Sequence, residues 1–226
     1  MTKDLRQTEA DREIMLAGIS HDLRTPLARM RLEIEMSNVS DDTRQAIDQD
    51  LAQIDYTIGQ LMEYARPATS PPEIGIDITQ ALEDLYDREK AHTESLNGHL
   101  NADISPNLKA RITAIDLKRI VGNLIENARR YGRSPIDGTC FIDLNARLEN
   151  DKVIIEVADR GSGIAPSEVQ RLLRPFSRGE TARTGVSGAG LGLAIVERLL
   201  GHVGGKLKML PRSPNGLLAR IELPKV

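Results

Sequence analysis

Tryptophan is absent from the 226 residues, and two phenylalanines with four tyrosines hold the aromatic fraction to 3%. Any core must therefore be built from Leu, Ile, Val and Ala. The single cysteine, Cys140, cannot close an intrachain disulfide and has no metal-ligand spacing around it. That usage suits a reducing compartment and a thiol that serves as a small buried hydrophobe. An excess of one charge is also missing: 30 Lys and Arg stand against 33 Asp and Glu, for a net charge of -3. With a pI near 5.9 and no block of five like charges, the chain has no polycation for gripping nucleic acid, and no such partner is expected. Long apolar runs are lacking too. The most apolar stretch, "LGLAIVERLL", is broken by Glu197 and Arg198 well short of the roughly 20 residues that span a bilayer. Met1 is followed at once by "TKDLRQTEADRE", a charged helical segment rather than an apolar leader. What remains, 40% hydrophobic and 28% charged, is the composition of one large soluble domain or two modest ones.

The first 66 residues contain two glycines, Gly18 and Gly59, one proline, Pro26, and otherwise mostly strong helix formers. Leu16, Ile19, Leu23, Leu27, Met30 and Ile34 recur at steps of three and four, as do Ile47, Leu51, Ile54, Ile58 and Leu61. These periods predict two helices with apolar seams. The intervening "SNVSDD" supplies a stop and an N-cap at Ser40, so the helices should double back as an antiparallel hairpin. A two-helix hairpin has no core of its own, and pairing two copies into a four-helix bundle would cover both seams. "RPATSPP", residues 66–72, then ends the helix and forms a short stiff linker. The expected division is 1–66 for the helical domain, 67–72 for the linker and 73–226 for the rest. In that second part the pattern predicts helices from about Ile78 to Ala91, Ala114 to Tyr131 and Leu191 to Val203. Strands are expected at "TCFIDLNARLE", "KVIIEVAD", "GKLKMLPR" and "GLLARIELP". The order implies an α/β sandwich, one helical layer on a mixed sheet.

His21 lies in "LAGISHDLRTPLARM". At 3.6 residues per turn the six apolar positions fall within about 80°, and His21 lies about 140° from their centre, so its imidazole is predicted to face outward. Asp22 is its neighbour and Thr25 shares its face, while Pro26 removes a helical hydrogen bond just beyond. A neutral imidazole is a nucleophile able to carry a phosphoryl group, provided the chain supplies a phosphoryl donor.

Three stretches of the second part together describe such a donor site: "NLIENARRYG" (123–132), "DRGSGI" (159–164) and "GVSGAGLGLAIVERL" (185–199). Asn123 and Asn127, at i and i+4, project two amides together, and an amide oxygen can ligate Mg²⁺ without overcharging a phosphate site. Asp159 closes an apolar strand and is followed by Gly161 and Gly163, where backbone can approach a flat ring. Its carboxylate can accept a hydrogen bond from an exocyclic amine such as that of adenine. Gly188, Gly190 and Gly192 precede a helix, an arrangement that offers bare amides to phosphate. The glycines come too late in the domain for a Rossmann fingerprint, and no Gly-Lys-Ser/Thr follows as in a P-loop.

With these stretches in view, the sequence resembles the sensor histidine kinases of two-component systems over essentially its whole length, most closely the EnvZ type. "SHDLRTPL" is similar to the H box, and "NLIENARRYG", "DRGSGI", "RPFSRG" and "GAGLGLAIV" to the N, G1, F and G2 boxes. The resemblance implies a dimerisation and histidine phosphotransfer domain followed by a catalytic domain of the Bergerat (GHKL) ATP-binding type. It implies His21 as phosphoacceptor, Asp22 as its acid/base partner, and Thr25 as the residue that positions hydrolytic water when such kinases act as phosphatases. Asn127 would ligate Mg²⁺ beside Asn123, Arg130 would approach the phosphates of ATP, Tyr131 would line the pocket and Asp159 would read adenine. Gly161, Gly163, Ile164, Gly188, Gly190, Leu191, Gly192 and Leu193 would surround the nucleotide. Residues of about 176–190 would form a mobile lid, with Arg178 a phosphate contact. Two departures stand out: Arg160, where an acidic or small polar residue is common, and "RSPIDGTCF" after Gly132. No sensor or membrane segment is matched, so the resemblance implies the cytoplasmic part of a longer inner-membrane receptor, a homodimer whose partner is an OmpR-type response regulator.

The related ATPases of the same fold carry a glutamate one turn before the metal-binding asparagine. Here that position is Asn123, and an amide cannot take a proton from water at neutral pH. Glu126 is about 100° around the helix from Asn127. Kinase chemistry, probed by His21→Gln, is thereby preferred. The alternatives are a degenerate, nucleotide-regulated dimeric scaffold and a phosphatase-dominant relative.

Overall fold

A computed structural model describes residues 18, 19, 22–177 and 189–225, which divide into two compact units: residues up to Pro67 with 189–191, and residues from Ala68 on without those three. The first is helical. Helix α1 covers residues 22–36 of the described chain and continues through Pro26, and helix α2 is Asp41–Ala65. Ser40 caps α2, its hydroxyl accepting from the Thr43 N–H at 3.3 Å, with Asp41 and Asp42 in the first turn facing the positive end of the helix dipole. Such a cap contributes about 1 kcal/mol. The ion pairs Arg24–Asp55 (2.9 Å) and Arg31–Asp48 (3.7 Å) show the antiparallel hairpin: seven residues forward on α1 matches seven backward on α2. Leu51, Ile58 and Ala65, also spaced by seven, are buried, yet Ile19, Leu23, Met30 and Ile54 of the predicted seams stay 43–45% exposed in the single chain.

The second unit has the order β1 (Ile76–Asp77), α3 (Ile78–Ser95), β2 (Gly98–Ile104), β3 (Lys109–Ala110), α4 (Ala114–Tyr131), β4 (Cys140–Glu149), β5 (Lys152–Ala158) and α5 (Pro166–Leu172). It closes with α6 (Gly192–His202), β6 (Lys206–Pro211) and β7 (Leu217–Pro224). Five strands form one sheet in the order β2-β4-β5-β7-β6, parallel only between β2 and β4, and β1 pairs with β3 apart from it. Alternation decides which face is covered. Ile142, Leu144 and Ala146 of β4, Val153, Ile155 and Val157 of β5, and Ala219, Ile221 and Leu223 of β7 are buried beneath α3, α4 and α6. Those helices contribute Ile78, Leu82 and Leu85, then Leu117, Ile120, Leu124 and Ile125, then Ile195, Val196 and Leu199. At about 1.5–3 kcal/mol for each fully buried aliphatic side chain, this core is the main favourable contribution set against the conformational entropy of the unit.

Among the described residues the opposite sheet face has no helical layer and is lined by ion pairs. Glu156 is gripped by Arg147 (2.7 Å) and Arg220 (3.4 Å), and Glu222 by Lys152 (2.9 Å) and Lys208. Both glutamates are 7% exposed.

Helix α4 begins and ends where the periodicity predicts, and the four predicted strands are present. Helix α3 runs on to Ser95. Two larger elements had no counterpart in the pattern. Strand β2, "GHLNADI", is an edge strand with Asn and Asp on its open face, and β4 alone gives it a ladder. Helix α5 buries none of its residues, so it shows no apolar period, and its only start signal is Pro166 in the first turn.

Candidate functional site

Strand β5 is buried through Val157 and Ala158 and delivers Asp159 just beyond its end, 6% exposed. The carboxylate is held by backbone: Oδ1 accepts from the Gly161 N–H at 2.9 Å and the Leu217 N–H at 3.1 Å. Oδ2 has no hydrogen-bond donor among the described residues. Burial pushes the carboxyl above the usual aspartate range, against the two amide donors and the positive charge of Arg212. A largely desolvated carboxylate with one oxygen unmet is matched to a ligand N–H.

Glycines make this close approach feasible. A Cβ on Gly132, which caps the end of α4, would lie 2.4 Å from both the Ala128 carbonyl and the Asp159 Cβ. Gly216 adopts a φ of +124°, where a side chain is strained, and its Cβ would meet the Asp159 carbonyl at 2.0 Å. Backbone from α4, the β5 end and the β6–β7 turn thus converges on one carboxylate. Gly132 and Gly216 were not among the predicted site residues. "RYG" at the end of a predicted helix and "PNG" ahead of a predicted strand are the only sequence signals for them, and both read as punctuation.

The second part of the site lies where α4 passes the start of α6. Asn123 and Asn127 come together there: a Cβ on Gly192 would sit 3.1 Å from Asn123 Oδ1 and 3.4 Å from Asn127 Oδ1. Asn123 spends its Nδ2 on the Arg119 carbonyl at 2.7 Å. Glu126, the carboxylate of this turn, is occupied by Arg130 Nε at 2.7 Å and Arg129 Nη2 at 3.0 Å. Two neutral amides therefore face the α6 terminus, while the acid is tied to cations.

Among the remaining predicted residues, Gly161 is buried and donates to Asp159, Gly163 (φ +72°) and Ile164 follow half-buried, and Tyr131 is 42% exposed on the last turn of α4. Gly190 (φ +67°) and Leu193 are half-buried and Leu191 is buried. Arg130, expected at phosphate, pairs with Glu126. Arg160 turns to the open sheet face, its guanidinium 4.4 Å from the Phe141 ring centre, and Phe141 stacks on His99 at 4.8 Å. Asp22 and Thr25 are exposed on α1. His21, Arg178, Gly188 and most of the predicted lid lie outside the described residues.

Residues 112–226 match the family described as histidine kinase-, DNA gyrase B-, and HSP90-like ATPase, and residues 11–69 the His Kinase A (phospho-acceptor) domain. The chain belongs to the sensor histidine kinases. Its EnvZ-type character fits, as do the helical hairpin and the Bergerat-type sandwich. This kinase chain is 30% identical over 217 residues to the sensor protein RstB of Escherichia coli K12, covering 91% of itself and 47% of that protein. To the sensor protein PfeS of Pseudomonas aeruginosa it is 28% identical over 227 residues, covering 99% and 49%. It thus spans about half the length of these relatives. Its fold matches full-length ShkA, solved in complex with AMPPNP, at a TM-score of 0.70 with 24% identity, over 94% of this chain and 46% of that one. The Acinetobacter baumannii histidine kinase AdeS matches at 0.59 with 16% identity, over 91% and 98%. No described helix is long and apolar enough to cross a membrane.

Proposed function

We propose that this chain binds ATP in the Asp159 cradle, transfers the γ-phosphoryl group to His21 and passes it to an aspartate of an OmpR-type response regulator. The observation that carries the choice of kinase over ATPase is the pair of amides at Gly192, with the neighbouring Glu126 bound by Arg129 and Arg130. Without a carboxylate to deprotonate water, the γ-phosphorus awaits another nucleophile. In this reading Asp159 accepts the adenine amine through its unmet oxygen, Tyr131 and Ile164 flank the base, and the glycines at 188, 190 and 192 with Leu191, Leu193 and Arg178 surround the phosphates. Arg130 reaches them by exchanging Glu126 for phosphate.

The residues also fit a Mg²⁺ ion. Asn127 offers a neutral oxygen, and among the described residues no group of three His, Cys, Asp or Glu could hold a metal, so the phosphates and water would complete its ligands. When bound, the ion neutralises phosphate charge. A nitrogen of the His21 imidazole then bonds to the γ-phosphorus as the bond to the β,γ-bridging oxygen breaks, ADP leaves, and Asp22 takes the ring proton. Positioning supplies most of the rate. Thr25, exposed four residues along from His21, would hold the water that removes phosphoryl from the regulator. Two copies joined through α1 and α2 form the working unit, anchored to the membrane by upstream segments with these domains on the cytoplasmic side.

Incubation with γ-labelled ATP should produce an acid-labile label on the wild-type chain and none on His21→Gln, with nucleotide affinity changed less than about twofold. Label retained by that variant excludes His21. Dephosphorylation of a regulator by a chain that never labels itself would identify a phosphatase instead.

A further inference from the structure

The carboxylate of Asp116, in the first turn of α4, is 2% exposed, yet one of its hydrogen bonds leaves the helix. Oδ2 accepts from the Thr69 backbone N–H at 3.0 Å, forty-seven residues away in the proline-rich segment that follows α2. The same oxygen accepts from the Thr113 hydroxyl at 3.0 Å, and Oδ1 takes Arg119 Nη1 at 3.1 Å, a guanidinium side chain itself 9% exposed. An ordinary capping residue in this position turns back to its own helix terminus. Asp116 keeps a bond to the N-cap Thr113 and reaches for the linker as well, from the helix that also carries Asn123 and Asn127.

We propose that Asp116 is a positioning residue that anchors the interdomain linker at Thr69 and so sets the reach of the ATP domain toward the phosphoacceptor. The inference rests on the kinase reading above. With the anchor made, the tether from Ala65 to Thr69 spans at most about 14 Å; with it broken, the next fixed point is β1 at Ile76, and the maximal span grows to about 39 Å. The local concentration of one tethered partner around another falls as the tether lengthens past what the distance requires. A buried, charge-assisted bond of Asp116, already oriented by Thr113 and Arg119, holds the shorter tether without adding contacts near the nucleotide.

Three variants of the 226-residue chain test this, read by autophosphorylation at saturating ATP, by nucleotide affinity, and by hydrogen exchange at the Thr69 amide. Thr69→Pro removes the donor, in a segment that already holds Pro67, Pro71 and Pro72, and leaves α4 untouched. It should slow autophosphorylation at least about fivefold with affinity within about twofold. Asp116→Ala should do the same and abolish exchange protection at Thr69, whereas Asp116→Asn, whose amide oxygen still accepts, should retain most of both. An unprotected Thr69 amide in the wild-type chain, an unchanged or faster reaction in Thr69→Pro, or losses in rate that only follow losses in affinity would overturn the anchor. A wild-type chain that acquires no label while Thr69 stays protected would defeat the kinase reading separately, and would reduce the bond to a structural one.

Discussion

Asp159 shows how a single residue's chemistry is set by what packs around it. On the β5 terminus without neighbours it would be an ordinary acid. Enclosed by Gly132, Gly161 and Gly216 it is desolvated, and its carboxyl is pushed upward despite two amide donors. The charged form is the better acceptor for a ligand amine, so protonation weakens binding, and a raised pKa moves that weakening to a higher pH than for an exposed aspartate. Nucleotide affinity should therefore fall on acidification starting above the usual aspartate range, and Asp159→Asn, with a pH-independent amide, should bind weakly and with a shallower profile, keeping only the slope from the nucleotide's own titration. Isothermal titration across pH 4 to 7 checks this, and an equally sloped variant would remove Asp159 from recognition. At the same scale, Arg160 is absorbed by the Phe141 face, which explains how a cation is accommodated directly after the buried acid.

Among the elements, the five-stranded sheet carries the least usual arrangement, an outer face that among the described residues is lined by charge rather than by a second layer. Its center contains glutamates on β5 and β7 with cations from β4, β5, β6 and β7. The Lys208 and Lys152 ammonium groups hold the Glu222 carboxyl at about 2, against an ordinary value of 4.5. A carboxyl depressed in the fold contributes stability that is complete above its unfolded pKa and is lost as pH falls toward the folded one. The midpoint of thermal unfolding should accordingly drop between pH 4.5 and about 2. Glu222→Gln should melt lower than wild type at neutral pH and lose part of that acid slope. Since both lysines are about half exposed, the loss at neutral pH should be modest. Identical slopes in the two proteins would show that the clamp does not couple to folding.

For the whole molecule, the two units differ in how far one chain satisfies them. The sandwich has a buried aliphatic core within a single chain, whereas the hairpin leaves Ile19, Leu23, Met30 and Ile54 of its seams open by more than two fifths. A second copy placed on that stripe removes the exposed apolar area, which is the physical case for the proposed dimer. Replacing Leu23 and Ile54, on facing turns of the hairpin, by glutamate should convert a sedimenting dimer to monomer and abolish self-labelling, while nucleotide binding by the sandwich persists. A dimer that survives both charges would place its interface elsewhere.

Much of this was legible in sequence because it depends on local period and local chemistry. The bounds of α4, the Ser40 cap and the four apolar strands follow from side-chain spacing that needs no tertiary partner to be read. Asp159, Asn123 and Asn127 were visible as residue types at chemically meaningful intervals. Strand β2 was not, because only a parallel partner some forty residues on makes its polar pattern a strand. Nor were Gly132 and Gly216, whose need for a missing Cβ arises from an aspartate that approaches them only after the sheet is assembled. The same holds for Asp116, whose bond to the Thr69 N–H joins residues forty-seven apart in sequence. Periodicity and capping are properties of neighbours along the chain, and so the sequence by itself determined them. Burial and long-range hydrogen bonding are properties of neighbours in space, and only the tertiary structure could decide them.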